Sequence, residues 1–172
     1  MEPYTCYFAT LKESGVTLDV ESLSTSCFAY SNIKSCWLSD RCARIEPDAF
    51  CYADLEYISG EGVLSIGSFA FINCLSLENV YFPKAVSIEA LAFSYCTNLK
   101  EVSLESCTRL GIEVFRYCSS LKSVVLRKRC TIGKLCFANC NDHLRIYIGS
   151  KDAEWYAKAE CWKPYRDYIE VQ

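Results

Sequence analysis

Apolar positions recur along this chain with a period of 22 residues. Phenylalanine stands at Phe28, Phe50, Phe71, Phe93, Phe115 and Phe137, at gaps of 22, 21, 22, 22 and 22 residues. Five residues before each comes an aliphatic: Leu23, Ile45, Ile66, Ile88, Leu110, Ile132. Directly before each Phe stands Cys27, Ala49, Ala70, Ala92, Val114 or Cys136. A short alternating run follows, read as Leu77-x-x-Val80-x-Phe82, Leu99-x-x-Val102-x-Leu104 and Leu121-x-x-Val124-x-Leu126. The first copy gives Ile33-x-x-Cys36-x-Leu38; the second gives Leu55-x-x-Ile58 and then a break at Gly60 and Gly62. Alternation with period two predicts a strand with one face buried. The segment ending in the Phe is too short for a free helix, which predicts a turn or a single helical turn.

A unit of 22 residues cannot bury its own apolar face, but stacked copies can. Equivalent strands then pair side by side as a parallel sheet, advancing about 4.8 Å per repeat into a rod on the order of 25–30 Å long. Each column becomes an interior ladder of like residues. The fold class is a solenoid of stacked 22-residue repeats, with a parallel sheet on one face and a C-terminal helical cap. Cys74, Cys96, Cys118 and Cys140 follow the last four Phe residues by three positions, and Ser31 and Ala53 take that place earlier. They read as small apolar rungs. Neighbouring rungs come within disulfide reach, but nearly parallel Cβ vectors oppose the required dihedral. Cys6, Cys42, Cys51 and Cys161, off this ladder, are the better disulfide candidates.

Both ends depart from the pattern. Residues 1–22 read as a capping segment with Phe8 in a degenerate turn and Val16 and Leu18 in a first strand. Residues 23–149 form the solenoid and 150–172 a helical C-terminal cap, all within one structural domain. His143 falls in the slot of Leu77, Leu99 and Leu121, with Leu144 beside it, which predicts a bulge or shift and a buried or half-buried structural histidine. In the cap, Ser150 is the expected N-cap. Trp155, Ala159 and Trp162 would share a helix face, and Pro164 would break or restart the helix. The rings of Tyr156, Trp162 and Tyr165 are expected to cover the open end of the core.

Composition agrees with a packed domain. The chain has 172 residues, 51% of them hydrophobic and 14% aromatic, which excludes a disordered tail or a collagen-like segment. A net charge of -3 gives no general attraction to nucleic acid or to an anionic membrane. The 13 cysteines cannot all pair within one molecule, and free cysteine is an ordinary small buried residue, so composition leaves the redox compartment open. The opening Met1, Glu2, Pro3 and the charges at Lys12, Glu13 and Asp19 do not read as a targeting segment. No run of about 18 uncharged apolar residues occurs, so no membrane insertion is expected.

The phrase Ile66-Gly67-x-x-Ala70-Phe71-x-x-Cys74-x-x-Leu77-x-x-Val80-x-Phe82-Pro83 resembles the unit of BspA-type leucine-rich repeats, and the match covers roughly residues 23–149. The tail, with Ile146-Tyr147-Ile148, Tyr156 and Trp162, is similar to the closing segment of such arrays. The proline after the strand survives only as Pro83, being Glu105, Arg127 and Gly149 elsewhere. The glycine after the aliphatic rung remains at Gly67, Gly111 and Gly133 but is Glu46 and Glu89 in other copies. The resemblance implies a cell-surface or secreted protein of a kind sometimes engaged in adhesion.

Little in the sequence carries catalysis. A Cys140–His143 pair lacks a third orienting group and an oxyanion site. No Cys-x-x-Cys pair points to zinc, and there is no P-loop or dinucleotide fingerprint. No catalytic, metal or cofactor-binding residue is assigned, and no cofactor is implied. The outward strand positions are more informative. One column holds Trp37, Ser59, Tyr81, Ser103, Val125 and Tyr147; beside it run Ser35, Tyr57, Asn79, Glu101, Ser123 and Arg145. Rings on every second rung, flanked by small polar residues, suit recognition because they bring area at low entropy cost. Glu56 and Glu78 precede Lys100 and Lys122 on adjacent rungs, and Arg127, Lys128 and Arg129 gather positive charge late in the array. The expectation is a noncatalytic module that binds a protein or a surface glycan through Trp37, Tyr57, Asn79, Tyr81, Glu101 and Tyr147. The alternative is a structural repeat protein with weak self-association.

Overall fold

A computed structural model describes residues 15–172; the Phe8 turn and Cys6 lie outside these residues. Each repeat contributes a long strand, a bend, a two-residue strand and a turn. The long strands are β1 (Gly15–Leu18), β3 (Ser35–Leu38), β5 (Tyr57–Gly60), β7 (Asn79–Tyr81), β9 (Glu101–Leu104), β11 (Ser123–Leu126) and β13 (Arg145–Ile148). The short ones are β2 (Ser22–Leu23), β4 (Arg44–Ile45), β6 (Ser65–Ile66), β8 (Ser87–Ile88), β10 (Arg109–Leu110) and β12 (Thr131–Ile132). Successive long strands pair in parallel, with Val16, Cys36, Ile58, Val80, Val102, Val124 and Ile146 in register along the inner face. The short strands form a second parallel sheet of 6 strands that carries the aliphatic column from Leu23 to Ile132. This second sheet is absent from the sequence reading, because two residues are too few to show a period.

The phenylalanine column is the axis of the core. Ring centroids from Phe28 through Phe137 are spaced 5.2, 5.2, 4.9, 5.5 and 5.5 Å apart, with planes within 9° of parallel. Such offset stacks add to the area the rings bury. The segment around each Phe is a turn, with positive φ at the residues two before and two after it, as at Phe69 and Asn73 or Leu91 and Tyr95. None of these residues is glycine. Hydrogen bonds between repeats hold the strained backbone: Tyr52, Asn73 and Tyr95 donate their amides to the carbonyls of Ile72, Ser94 and Arg116 at 2.8–3.0 Å. Alternate N–H groups of each turn donate to the next repeat, and those between them close the turn itself, as Cys51 does to the Asp48 carbonyl at 3.0 Å.

Two sequence expectations need correction here. The strand does not break at Gly60, which ends β5 buried opposite Leu38, with a Val63 methyl in the space a larger side chain would take. His143 is exposed; Leu144 is fully buried in the leucine slot, so the expected shift occurs but expels the histidine. No two described cysteines form a disulfide. Cys42 instead shares an interior column with Val63, Ala85, Cys107 and Cys130, and Cys51 is buried.

The C-terminal segment is only partly helical. A 3-10 turn (Ser150–Asp152) leads into the helix α1 (Ala153–Lys158), then an extended Ala159 and a 3-10 stretch (Glu160–Tyr168) that contains Pro164. Ser150 is not an N-cap: Gly149 and Asp152 precede the first two helical pieces, and neither makes a side-chain cap. Because Ala159 is extended, Trp155 and Trp162 do not share one helix face. Within the segment 150–172, expected to be a helical cap, Ile169 begins a strand β14 (Ile169–Val171) that pairs in parallel with β13 and completes an 8-stranded sheet.

Tyr156, Trp162 and Tyr165 do cover the end of the core, and they do more than exclude water. The Tyr156 hydroxyl accepts from the Cys130 amide at 3.2 Å and donates to the Lys128 carbonyl at 2.6 Å. Trp162 Nε1 donates to the Cys130 carbonyl at 2.6 Å, and the Tyr165 hydroxyl accepts from the Phe137 amide at 3.4 Å. Backbone groups that would otherwise wait for a further repeat are thereby satisfied.

Candidate binding face

The outer face of the large sheet follows from the same alternation that fills the core: every second residue of a strand must point away. Trp37 and Tyr81 are each 43% exposed. The Trp37 indole lies over Gly15, where a Cβ would come within 2.5 Å of its Cζ3 atom, so the missing side chain makes room for the ring. On its other side the indole meets Tyr57, with centroids 6.0 Å apart at 45°. Register places Tyr81 between Ser59 and Ser103, and Asn79 between Tyr57 and Glu101. Trp37, Tyr57, Asn79 and Tyr81 thus occupy three successive strands, with Glu101 on the fourth. Tyr147 stands apart, half-buried three strands beyond Tyr81, about 14 Å away by strand spacing. The alternation of rings on every second rung therefore stops at Tyr81.

Charges border this face in pairs rather than in repelling rows. Lys34 bridges Asp54 and Glu56, and Lys100 pairs with Glu78 at 2.7 Å. Hydrogen bonds from Lys34 and Ser76 hold the Asp54 carboxyl below its ordinary range, and the same Lys34–Asp54 bond raises the lysine. Arg145 pairs with Glu170 of β14 at 3.2 Å. The late positive cluster is engaged with the cap: Arg129 meets Asp152 at 2.9 Å and Arg127 meets Gln172 at 3.1 Å.

The turn edge carries a second aromatic row that the sequence reading passed over, although its period was available. Two residues after each Phe come Tyr30, Tyr52, Asn73, Tyr95, Tyr117 and Asn139. Tyr30 stacks on Tyr52 at 5.1 Å and 7°, and Tyr95 on Tyr117 at 4.5 Å and 23°. The Arg116 guanidinium lies 4.9 Å from the centroid of the Tyr117 ring.

The thiols of Cys36 and Cys140 are poor nucleophiles. Cys140 donates to the Phe115 carbonyl at 3.0 Å, and burial pushes its pKa up to about 12. Cys36 is likewise pushed up to about 12 by burial. With His143 exposed, nothing in this geometry activates Cys140. Among the described residues no helix is long and apolar enough to cross a membrane.

The family model described as BspA type leucine rich repeat region matches residues 21–144 in 6 copies. No curated protein matches the chain. Among solved structures, the pneumococcal vaccine antigen PcpA is 18% identical with a TM-score of 0.59, covering 79% of this chain and 52% of its own. A leucine-rich cell surface protein of Faecalibacterium prausnitzii is 20% identical with a TM-score of 0.62, over 92% of this chain and 48% of its own. The leucine-rich repeat protein of T. pallidum is 22% identical with a TM-score of 0.60, over 79% and 64%. This chain therefore spans about half to two thirds of the length of each, and the likeness is one of fold.

Proposed function

Because the chain belongs to the BspA-type leucine-rich repeat family, we propose that it is a noncatalytic binding module that holds a partner protein against the outer face of its large sheet. The observation that carries this reading is the cluster of Trp37, Tyr57 and Tyr81 on adjacent strands, with both Trp37 and Tyr81 43% exposed amid small polar neighbours. Large rings left outside a well-filled core are characteristic of the energetic centres of protein interfaces. Asn79 and Glu101 supply polar contacts beside them, and Tyr147 marks the far end of the face. Display at a cell surface is part of the proposal, supported by neighbours described as a cell surface protein and a vaccine antigen.

The test compares the wild-type chain with a Trp37→Ala/Tyr81→Ala double variant, both immobilised and exposed to the same panel of purified extracellular proteins. Capture by the wild type and loss in the variant, at unchanged melting temperature, supports the reading. Unchanged capture overturns the site, and selective capture of oligosaccharides in place of proteins overturns the partner class.

A second reading, self-association, draws on exposed apolar residues at the entrance to the short strands β6 and β8. Leu64 and Val86 are both exposed and joined rung to rung, the Val86 amide donating to the Leu64 carbonyl at 2.8 Å. Sedimentation over a concentration series decides it: a monomer throughout removes this reading.

A further inference from the structure

The tyrosine row on the turn edge lacks a ring at one inner rung, where Asn73 stands. Tyr52, Asn73 and Tyr95 occupy successive rungs of one hydrogen-bonded ladder. Their neighbours on either side, Tyr30 and Tyr117, stack on Tyr52 and Tyr95 respectively. Asn73 breaks the row into two pairs, and two rungs of about 4.8 Å put Tyr52 and Tyr95 roughly 10 Å apart, room for one further planar group at the spacing of the existing stacks. A cavity of about 260 Å³ opens on the Tyr52 side of this break, lined by Tyr52, Ala53, Asp54, Asn73, Leu75 and Ser76.

Its chemistry selects a flat cation. Ring faces carry negative electrostatic potential and attract guanidinium groups. The Asp54 carboxylate adds charge: it shares the single ammonium of Lys34 with Glu56, so the three groups sum to one unpaired negative charge. The row already shows the pairing, since the Arg116 guanidinium lies over Tyr117. We propose that the cavity beside Tyr52 and Asn73 receives the guanidinium of an arginine side chain from a partner protein, stacked on Tyr52 and charge-paired with Asp54. Leu75, 54% exposed, offers an apolar surface to the methylene stem of that arginine. The site lies on the turn edge and not on the large sheet, so it stands or falls independently of the strand-face reading.

The test is an NMR titration of the full chain with N-acetyl-arginine amide, beside the lysine, citrulline and tyrosine amides. Arginine should give saturable shifts at the Asn73 amide and the Tyr52 ring, with lysine (charge without a plane) and citrulline (a plane without charge) at least fivefold weaker. Asn73→Tyr fills the row with the residue that holds four of its rungs, so it should keep the fold and abolish the shifts. Asp54→Asn should weaken arginine binding at least threefold. Equal binding of lysine, tighter binding of the tyrosine amide, persistence of the shifts in Asn73→Tyr, or no saturation up to the solubility of the probe would each overturn the proposal.

Discussion

The thiol of Cys96 lies 3.1 Å from the carbonyl oxygen of Phe71, one repeat earlier, and the same contact joins Cys74 to Phe50, Cys118 to Phe93 and Cys140 to Phe115. The Phe71 carbonyl also accepts from the Cys74 amide at 3.2 Å. The cysteine column is thus a ladder of side-chain donors that ties each turn to the one before it, as well as a column of small fillers. Replacing Cys96 by Ala should cost about 1–2 kcal/mol, the lost hydrogen bond plus a small void. Cys96→Ser keeps a donor and should cost less. Urea denaturation of the two variants ranks them, and an Ala variant at least as stable as the Ser variant would reduce the column to filler.

Tyr156→Phe removes one hydroxyl, leaving the buried Cys130 amide without its acceptor and the Lys128 carbonyl without its donor. A loss of about 1–3 kcal/mol is expected. Hydrogen exchange should localise it, with the Cys130 amide and the β12 rung losing protection before the middle of the array.

Stability should fall steeply in alkali. Burial raises the thiols of Cys36 and Cys140 to about 12 and that of Cys51 to about 11, from an ordinary value of 9.0. The folded state therefore holds protons that the unfolded chain releases. This contribution is fully present below pH 9 and is lost as pH rises through the folded values. Each such thiol steepens the loss by about 1.4 kcal/mol per pH unit above 9. Urea midpoints in reductant, taken from pH 7 to 10.5, should stay level with respect to the thiols and then drop. A level midpoint up to pH 10.5 would show that the thiols are not held protonated.

Two glycines of the second repeat should respond differently to alanine. A Cβ at Gly62 would lie 2.1 Å from the Asp40 carbonyl oxygen, and only backbone movement relieves that clash. At Gly60 the nearest atom is a Val63 methyl at 2.9 Å, which can rotate aside. Gly62→Ala should cost about 1–3 kcal/mol and Gly60→Ala distinctly less. Thermal melts of the pair check the order.

What the sequence disclosed depended on repetition of one residue type over whole columns. The Phe column and the Leu/Val strand pattern were legible because six nearly identical turns make the same demand on each position. The short-strand sheet was not, since its two-residue strands cannot alternate. The column of Cys42, Val63, Ala85, Cys107 and Cys130 mixes residue types, and Cys130 stands two residues before Ile132 where Cys107 stands three before Leu110. His143 was misplaced because one extra residue after Cys140 hands the slot to Leu144. Strand β14 occurs once, outside the repeat, so its pairing with β13 had no precedent to reveal it. On the candidate face, Trp37 and Tyr81 were legible from alternation, whereas the contact of Trp37 with Gly15 and Tyr57 arises from packing across strands. The tyrosine row lay in plain view as a 22-residue period, but an exposed column has no burial argument to single it out.

The central claim, that each 22-residue turn lies directly over the last, is tested most directly by ring-to-ring NOEs among phenylalanines labelled in the reduced protein. The account predicts an unbroken chain of contacts, Phe28 to Phe50, Phe50 to Phe71, and so on to Phe137, matching centroid spacings of 4.9–5.5 Å. Absence of the Phe71–Phe93 and Phe93–Phe115 contacts, with those rings accessible to a soluble paramagnetic probe, would contradict it.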